Sequence, residues 1–406
     1  MSESRPRRVL IASDTFPPDV NGASYFAFRL ATGLAARGNE VHVVCPSDRG
    51  PARAETVDGV VAHRLRSFPA LVHPTFRVAV PAGIGRALDR LIARVRPDVA
   101  HVQGHFPVGR GCVAAARRAG VPVVATNHFM PRNFFQYAPI GERLREEASR
   151  LAWRDLGRVL GRAARVTTPT PIAAELLRRA FPGPVEAVSC GIDLRRFAPA
   201  AEPPSPLRKR FALPDRDSVL FVGRLDEEKR LDELIAALTR LPGVQALLAG
   251  TGVRRPRLER LAARLGVADR VIFLGFVPDA DLPDLYGAAD VFAMPGVAEL
   301  QSIATLEAMA SGLPVVAADA MALPHLVQPG RNGMLYRPGD VPGLAAHLAD
   351  LLASPGLRAE LGAAGREIAV THDHRRSLAR FEEIYDEARR GGHPIVTGPR
   401  RAVSLP

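Results

Sequence analysis

At 406 residues the chain is too long for one ordinary domain and comfortable for two, each with its own core. Apolar residues make up 47% at a mean hydropathy of +0.01, and no apolar run approaches the roughly eighteen residues that would cross a bilayer. Cys45, Cys112 and Cys190 lie far apart with no C-x-x-C pair, which argues against a disulfide framework or a structural zinc site.

The net charge is +12 with a pI near 10.7, a balance compatible with nucleic acid, an anionic membrane surface or acidic small molecules. Nearly all the positive charge is arginine, and lysine stands only at Lys209 and Lys229. Arginine abundance on that scale says little about function. A lysine against that background says more, since it marks a place suited to a compact ammonium.

In chain order, Arg8–Ala12 reads as a strand, too short an apolar run for a signal peptide, so a cytoplasmic protein is expected. A Pro/Gly-rich loop follows at Ser13–Gly22, a helix at Ala23–Arg37 and a strand at Glu40–Cys45. Further strands are predicted at Val99–Val102, Val121–Ala125 and Arg165–Thr168. The basic segment Pro131–Arg165 interleaves Phe134, Phe135, Leu144, Leu151, Trp153, Leu156 and Leu160 with arginines. An ordinary helix with its apolar face on the core is the first reading, and peripheral attachment to the cytoplasmic face of a membrane the second. The Pro/Ala-rich stretch Ala198–Pro206 reads as a linker.

Beyond it the alternation restarts. Strands are expected at Ser218–Val222, Val244–Ala249, Arg270–Leu274, Asp290–Met294 and Pro314–Ala317, with a polar loop at Gly223–Arg230. Helices fall at Leu231–Arg240, Pro256–Leu265 and Ser302–Ala310. Two doubly wound α/β domains in tandem account for this pattern, with ligands expected at the carboxyl ends of the strands. The divisions are 1–197, a linker at 198–206, 207–375, a helix at 376–390 that returns toward the first domain, and a disordered tail at 391–406.

Two constellations carry chemistry. In Gly223-Arg224-Leu225-Asp226-Glu227-Glu228-Lys229 the glycine permits a tight turn, and Arg224 and Lys229 can converge on one anion. The plain alternative is salt bridging to Asp226 or Glu227. Glu299 and Glu307 stand about two helical turns apart, with Glu299 placed in a loop after a strand and Glu307 in the next helix. Carboxylates there can accept from sugar and ribose hydroxyls, with the backbone N–H groups of Gln301, Ser302, Ile303 and Ala304 facing the same ligand.

Together with Gly223–Lys229, the run from Glu299 through Glu307 to Val316 resembles the retaining family-four glycosyltransferases of the GT-B fold. Ser13–Gly22 is similar to that family's first loop, and Gly191-Ile192-Asp193 with Phe197 to its element before the linker. Gly250-Thr251-Gly252, Val271–Phe276 and Asp290-Val291-Phe292 follow in the family's order, so the resemblance spans about Val9 to Tyr385. It implies two Rossmann-like domains facing a central cleft, with an acceptor domain first and a nucleotide-sugar donor domain second.

The resemblance also implies roles. Arg224 and Lys229 would neutralise the donor diphosphate, Glu307 bind the ribose and Glu299 the donor sugar. Gly275, Phe276 and Val277 would line the base. Gly22 would bring a backbone N–H to the phosphates, and Gly223, Gly250 and Gly252 complete the donor side. His128, in Thr126-Asn127-His128-Phe129, would stand beside the transferred sugar, with Asp14, Asn21, His105 and Phe129 on the acceptor side. A front-face transfer keeping the anomeric configuration is implied, with no cofactor and no metal. Asn21-Gly22 replaces the family's frequent Gly-Gly, and Leu300-Gln301-Ser302 its usual Gly-Phe-Gly. Asn-Gly, His-Phe-Met and Glu-Leu-Gln-Ser are most similar to the branch that glycosylates diacylglycerol and related lipids.

The expectation is therefore hexosyl transfer from a UDP- or GDP-sugar to a lipid of diacylglycerol or phosphatidylinositol type. The alternatives are a soluble acceptor such as inositol phosphate or a polysaccharide, and a nucleotide-sugar 2-epimerase of the same architecture. A nucleic-acid partner is not expected, for want of a basic recognition helix, aromatic platform or zinc module.

Overall fold

The computed structural model describes residues 6–19, 21–70, 77–130, 141–201 and 204–391. The chain forms two compact units, one running to Ser189 and resuming at Arg375, the other comprising Cys190–His374.

In the first unit the strands are β1 (Arg8–Ala12), β2 (Glu40–Pro46), β3 (Arg53–Val57), β4 (Val60–Leu65), β5 (Ser67–Pro69), β6 (Arg77–Ala79), β7 (Val99–Val102), β8 (Val123–Thr126), β9 (Arg165–Thr168) and β10 (Val185–Ala187). Eight of them form one sheet in the order β10-β9-β8-β7-β1-β2-β4-β3, while β5 and β6 pair separately. Val9–Ala12 are fully buried, as a central strand covered by helices on both faces requires. The hairpin β3–β4 is the antiparallel edge of an otherwise parallel sheet. Its turn is Asp58-Gly59, with both φ angles positive at 47° and 77°, the two-residue geometry that matches strand twist.

The second unit contains β11 (Ser218–Val222), β12 (Gln245–Ala249), β13 (Val271–Gly275), β14 (Val291–Met294), β15 (Val315–Ala318) and β16 (Gly333–Tyr336). All pair in parallel in the order β13-β12-β11-β14-β15-β16, the doubly wound arrangement with its reversal between β11 and β14. In the first unit the reversal falls between β1 and β7.

The predicted helix at 231–240 divides into an α-helix at Leu231–Ala237 and a tighter turn at Leu238–Arg240, and the polar loop after β11 holds another at Glu227–Lys229. Gly191–Phe197, read as the end of the first domain, packs with the second unit. Ile192 bridges to Asp373, and the buried ring of Phe197 stands edge-on to Tyr286 at 5.8 Å. The predicted linker runs into a helix at Pro204–Arg210, with residues 202 and 203 outside those described.

The helix His374–Gly391 carries the chain back into the first unit. It buries Leu378, Phe381, Ile384, Tyr385 and Ala388, a three-and-four spacing that makes one apolar stripe. Arg7 donates from Nε and Nη2 to Asp386 at 2.9 and 2.7 Å, and Arg380 grips Glu186 at 2.6 and 2.9 Å. The expected tail at 391–406 lies outside the described residues save for Gly391, which ends this helix.

Of the basic segment, residues 131–140, including Phe134 and Phe135, lie outside the description. The remainder forms a helix at Glu142–Leu160. Its C-terminal half buries Leu156, Val159 and Leu160. Leu144 and Leu151 do not face the core: they are 63% and 60% exposed, on the face that also exposes Arg143 and Arg154.

Candidate active site

In an open parallel sheet the strand order reverses where two neighbouring loops part, leaving a crevice at the carboxyl ends of the strands. In the second unit the flanking loops are those after β11 and β14, which hold both constellations read from the sequence. They are stitched together. The N–H of Val297 donates to the carbonyl of Glu228 at 3.0 Å, and the ammonium of Lys229 pairs with Glu299 Oε1. Those two side chains are 15% and 12% exposed, so the pair is largely withdrawn from solvent. The carbonyl of Glu299 accepts from Ala322 N at 3.1 Å, which anchors its loop. A side chain at Gly296 would crowd the pair, since its Cβ would lie 3.0 Å from Glu299 Oε1 and 3.5 Å from Lys229 Cδ.

Arg224 is held by acids of its own loop. It pairs with Asp226, and its Nη2 donates to Glu228 Oε1 at 2.8 Å. The salt bridge to Asp226 weighed from the sequence is therefore present, and Glu228 joins it in place of Glu227. Glu227 instead pairs with Arg254 at 3.3 Å.

Glu307 lies inside the helix Ile303–Ala310 and is 4% exposed. Its Oε2 accepts from the Tyr286 hydroxyl at 3.0 Å, which fixes the carboxylate on the buried side of its helix. Ser302 caps that helix through its Oγ, which accepts from Thr305 N at 3.4 Å and from the Thr305 hydroxyl at 2.8 Å. First-turn N–H groups such as those of Ile303 and Ala304 have no partner within a helix. Gln301 turns its side chain the other way, accepting from Cys190 N at 2.7 Å.

Gly223, Gly250 and Gly275 end three adjacent strands, and all three have positive φ. Gly223 N donates to Ala249 O at 2.9 Å and Gly250 N to Gly275 O at 2.7 Å. A Cβ on Gly250 would sit 1.9 Å from Gly223 O, and one on Gly252 about 2.4 Å from the Leu225 backbone. These glycines let the strand ends turn in contact with one another. Gly275 has open space around it, Phe276 is 56% exposed and Val277 is half-buried.

In the first unit the corresponding loops follow β1, β7 and β8. Asp14 accepts from Val108 N at 2.9 Å and Gly109 N at 3.3 Å, capping the helix Pro107–Arg118, and burial pushes its carboxyl up to about 6. Asn21 caps the helix Gly22–Ala36 by accepting from Ser24 N at 2.9 Å. Gly22 has nothing within 4 Å of where a Cβ would lie.

His128 lies 3.0 Å through Nε2 from Gln103 Oε1, its ring 4.6 Å from that of Phe26. Desolvation lowers it to about 4, so the ring is neutral at pH 7. His105 is packed between Phe106 at 4.5 Å and Phe129 at 4.9 Å, and burial takes it likewise to about 4. Its Nδ1 has no partner among the described residues. The Phe129 backbone is held on both sides by the Asn127 side chain.

Sequence reasoning missed Gln103 and Tyr286. Gln103 had a signal, a polar residue just beyond the carboxyl end of a buried strand. Tyr286 had none, because its partner lies 21 residues away on another helix.

Among the described residues no group of three or more His, Cys, Asp or Glu is placed to hold a metal. No helix among them is long and apolar enough to cross a membrane.

Two doubly wound units with strand-end loops of this kind define the GT-B glycosyltransferase architecture. Sucrose-phosphate synthase from Thermosynechococcus elongatus shares it at TM-score 0.79 and 23% identity, over 95% of this chain and 100% of that one. The Anabaena protein HepE in complex with UDP shares it at TM-score 0.74 and 22% identity, over 94% and 100%. The description "Glycosyltransferase Family 4" matches residues 20–196 and "Glycosyl transferases group 1" residues 206–368. A GDP-mannose-dependent alpha-mannosyltransferase of Mycolicibacterium smegmatis is 34% identical over 84% of this chain and 86% of its own length. A D-inositol 3-phosphate glycosyltransferase of Salinispora arenicola is 32% identical over 95% and 92%. The chain belongs to glycosyltransferase family four.

Proposed function

We propose that this glycosyltransferase moves a mannosyl unit from GDP-mannose to a hydroxyl of an inositol- or glycerol-based lipid, with retention of configuration. The observation that carries the reading is the meeting of Lys229 and Glu299 at the reversal of the second sheet. It sets a cation for a diphosphate beside a carboxylate for sugar hydroxyls. The donor choice is supported by the GDP-mannose-dependent relatives from M. smegmatis and from Mycobacterium tuberculosis, the latter 32% identical over 93% of this chain. The acceptor choice is supported by a phosphatidylinositol monomannoside mannosyltransferase of M. smegmatis, 30% identical over 89%.

In this reading Arg224 and Lys229 stabilise the charge that develops as the bond from the anomeric carbon to the diphosphate oxygen breaks, its electron pair leaving with the nucleotide. The acceptor oxygen bonds the anomeric carbon from the same face, and its proton passes to a diphosphate oxygen. Glu299 orients the sugar and Glu307 the ribose. Gly275, Phe276 and Val277 line the base, and the N–H groups at the start of the helix Ile303–Ala310 complete the donor side. Gly22 contributes a backbone N–H and His128 contacts the sugar. Asn21, His105 and Phe129 lie on the acceptor side, where Asp14 acts through the helix it caps.

A lipid acceptor calls for contact with a membrane surface, at the cytoplasmic face. Exposed Leu144 and Leu151 offer apolar contact to such a surface, on a face of mixed charge where Arg143 and Arg154 stand beside Glu147. The soluble reading, an inositol phosphate acceptor, is favoured by the S. arenicola relative.

The test is nucleoside diphosphate release from GDP-mannose or UDP-glucose, with phosphatidylinositol vesicles, diacylglycerol vesicles or inositol 3-phosphate as acceptor. Release from GDP-mannose that requires lipid vesicles is expected. Release that requires inositol 3-phosphate selects the soluble reading, and no acceptor-dependent release from any donor would sink both.

A further inference from the structure

Gln103 stands just beyond the carboxyl end of β7, two residues after His101. His101 is sealed: its Nδ1 faces the Tyr385 hydroxyl at 2.7 Å and its Nε2 the Thr126 hydroxyl at 2.6 Å. His128 differs. Its ring is fixed by Phe26, which in turn packs on Phe381 at 5.8 Å, and only its Nε2 has a hydrogen-bond partner among the described residues, Gln103 Oε1. Gln103 is 5% exposed, and its Nε2 is buried with no partner among the described residues.

A neutral imidazole has one N–H and one lone pair, and the partner of one nitrogen decides which is which. Facing a carbonyl oxygen, Nε2 must carry the proton, so Nδ1 is left as an acceptor. A buried amide N–H without a partner is costly, so the Gln103 side chain is held in place by its surroundings and by its bond to His128.

We propose that Gln103 is a positioning residue that holds His128 as the Nε2–H tautomer, presenting Nδ1 to a substrate hydroxyl. The inference rests on His128 being the histidine beside the transferred sugar. With the opposite amide orientation, nitrogen toward His128, the ring would carry its proton on Nδ1 and offer a donor instead. The two arrangements are chemically distinct and can be told apart.

The experiment is long-range nitrogen–proton correlation NMR on the full chain with 15N-labelled histidine, the signal assigned by its loss in His128→Ala. The wild-type ring should show a protonated Nε2. Gln103→Leu should mix the tautomers. Gln103→Glu, an obligate acceptor, should keep Nε2–H and raise the titration midpoint by roughly one unit. In the transfer assay Gln103→Leu should lower kcat about ten-fold or more, with KM for the donor within about two-fold. A protonated Nδ1 in the wild type, a tautomer unchanged in Gln103→Leu, or full kcat in that variant would overturn the proposal. Full transfer by His128→Ala would instead overturn the role of His128, while the spectrum still reports what Gln103 does to the ring.

Discussion

Lys229 is one of two lysines in a chain that otherwise uses arginine, and it sits against Glu299 where the loops after β11 and β14 meet. A diphosphate competing for that ammonium would be held as by a point charge. Lys229→Ala should therefore weaken nucleoside diphosphate binding at least about ten-fold, roughly 1.4 kcal/mol. The readout is the rise in melting temperature with GDP, since a ligand that binds only the native state stabilises it. Lys229→Arg should recover only part of the affinity, because a planar fork does not reproduce a compact ammonium. An unchanged GDP shift in Lys229→Ala would remove that residue from the site.

The elements that carry the candidate glycines constrain them in opposite ways. Gly22 opens a helix with free space around it, whereas Gly250 has φ of +138° and no room for a Cβ. Gly22→Ala should leave the urea midpoint unchanged and still weaken donor binding if its backbone approaches a phosphate. Gly250→Ala should destabilise by several kcal/mol or prevent folding, since Gly223 O cannot move without parting β11 from β12. Equal stabilities in the two variants would contradict this account. In the returning helix, Tyr385→Phe deletes the partner of a fully buried His101 nitrogen and should cost about 1–3 kcal/mol in denaturant melts.

Across the whole molecule, buried histidines set the acid limit of stability. His101 is lowered to about 3, and His63, His105, His128 and His372 to about 4, burial being the first cause in each. An unfolded histidine titrates at 6.5, so below that pH the unfolded chain binds the more protons. This contribution is fully present above about 6.5 and is lost as pH falls toward 4. Asp14 opposes it: raised from 3.8 to about 6, it favours the folded state more at the acid end of that window. Asp19 and Asp290 are raised by burial as well, but the lowered rings outnumber these three carboxyls, so urea midpoints should fall steadily from pH 7 to pH 4.5. A flat profile would mean these rings are protonated in the folded chain.

Much of the architecture could be read directly, because buried parallel strands announce themselves as short apolar runs. β1, β7, β9 and β11 lie at the predicted residues. The hairpin β3–β4 is not announced in this way although Asp58-Gly59 marks its turn, for its charged edge strand lacks an apolar run. Of the candidate site, Lys229 and Glu299 were each legible, but their pairing was not, since 70 residues separate them. Gln301 and Ser302 were read through their backbones, and the structure shows their side chains fixing the loop and capping the helix.

By itself the sequence determined the alternation of strand and helix, the order of the motifs and thereby the family, for these depend on local pattern and residue type. Only the tertiary structure decided which side chains meet: Lys229 with Glu299, Glu307 with Tyr286, Gln103 with His128. Local pattern places a residue on a strand end or a helix face. Which distant side chain completes its hydrogen bond depends on the crossing of whole elements, and that is settled when the two sheets fold.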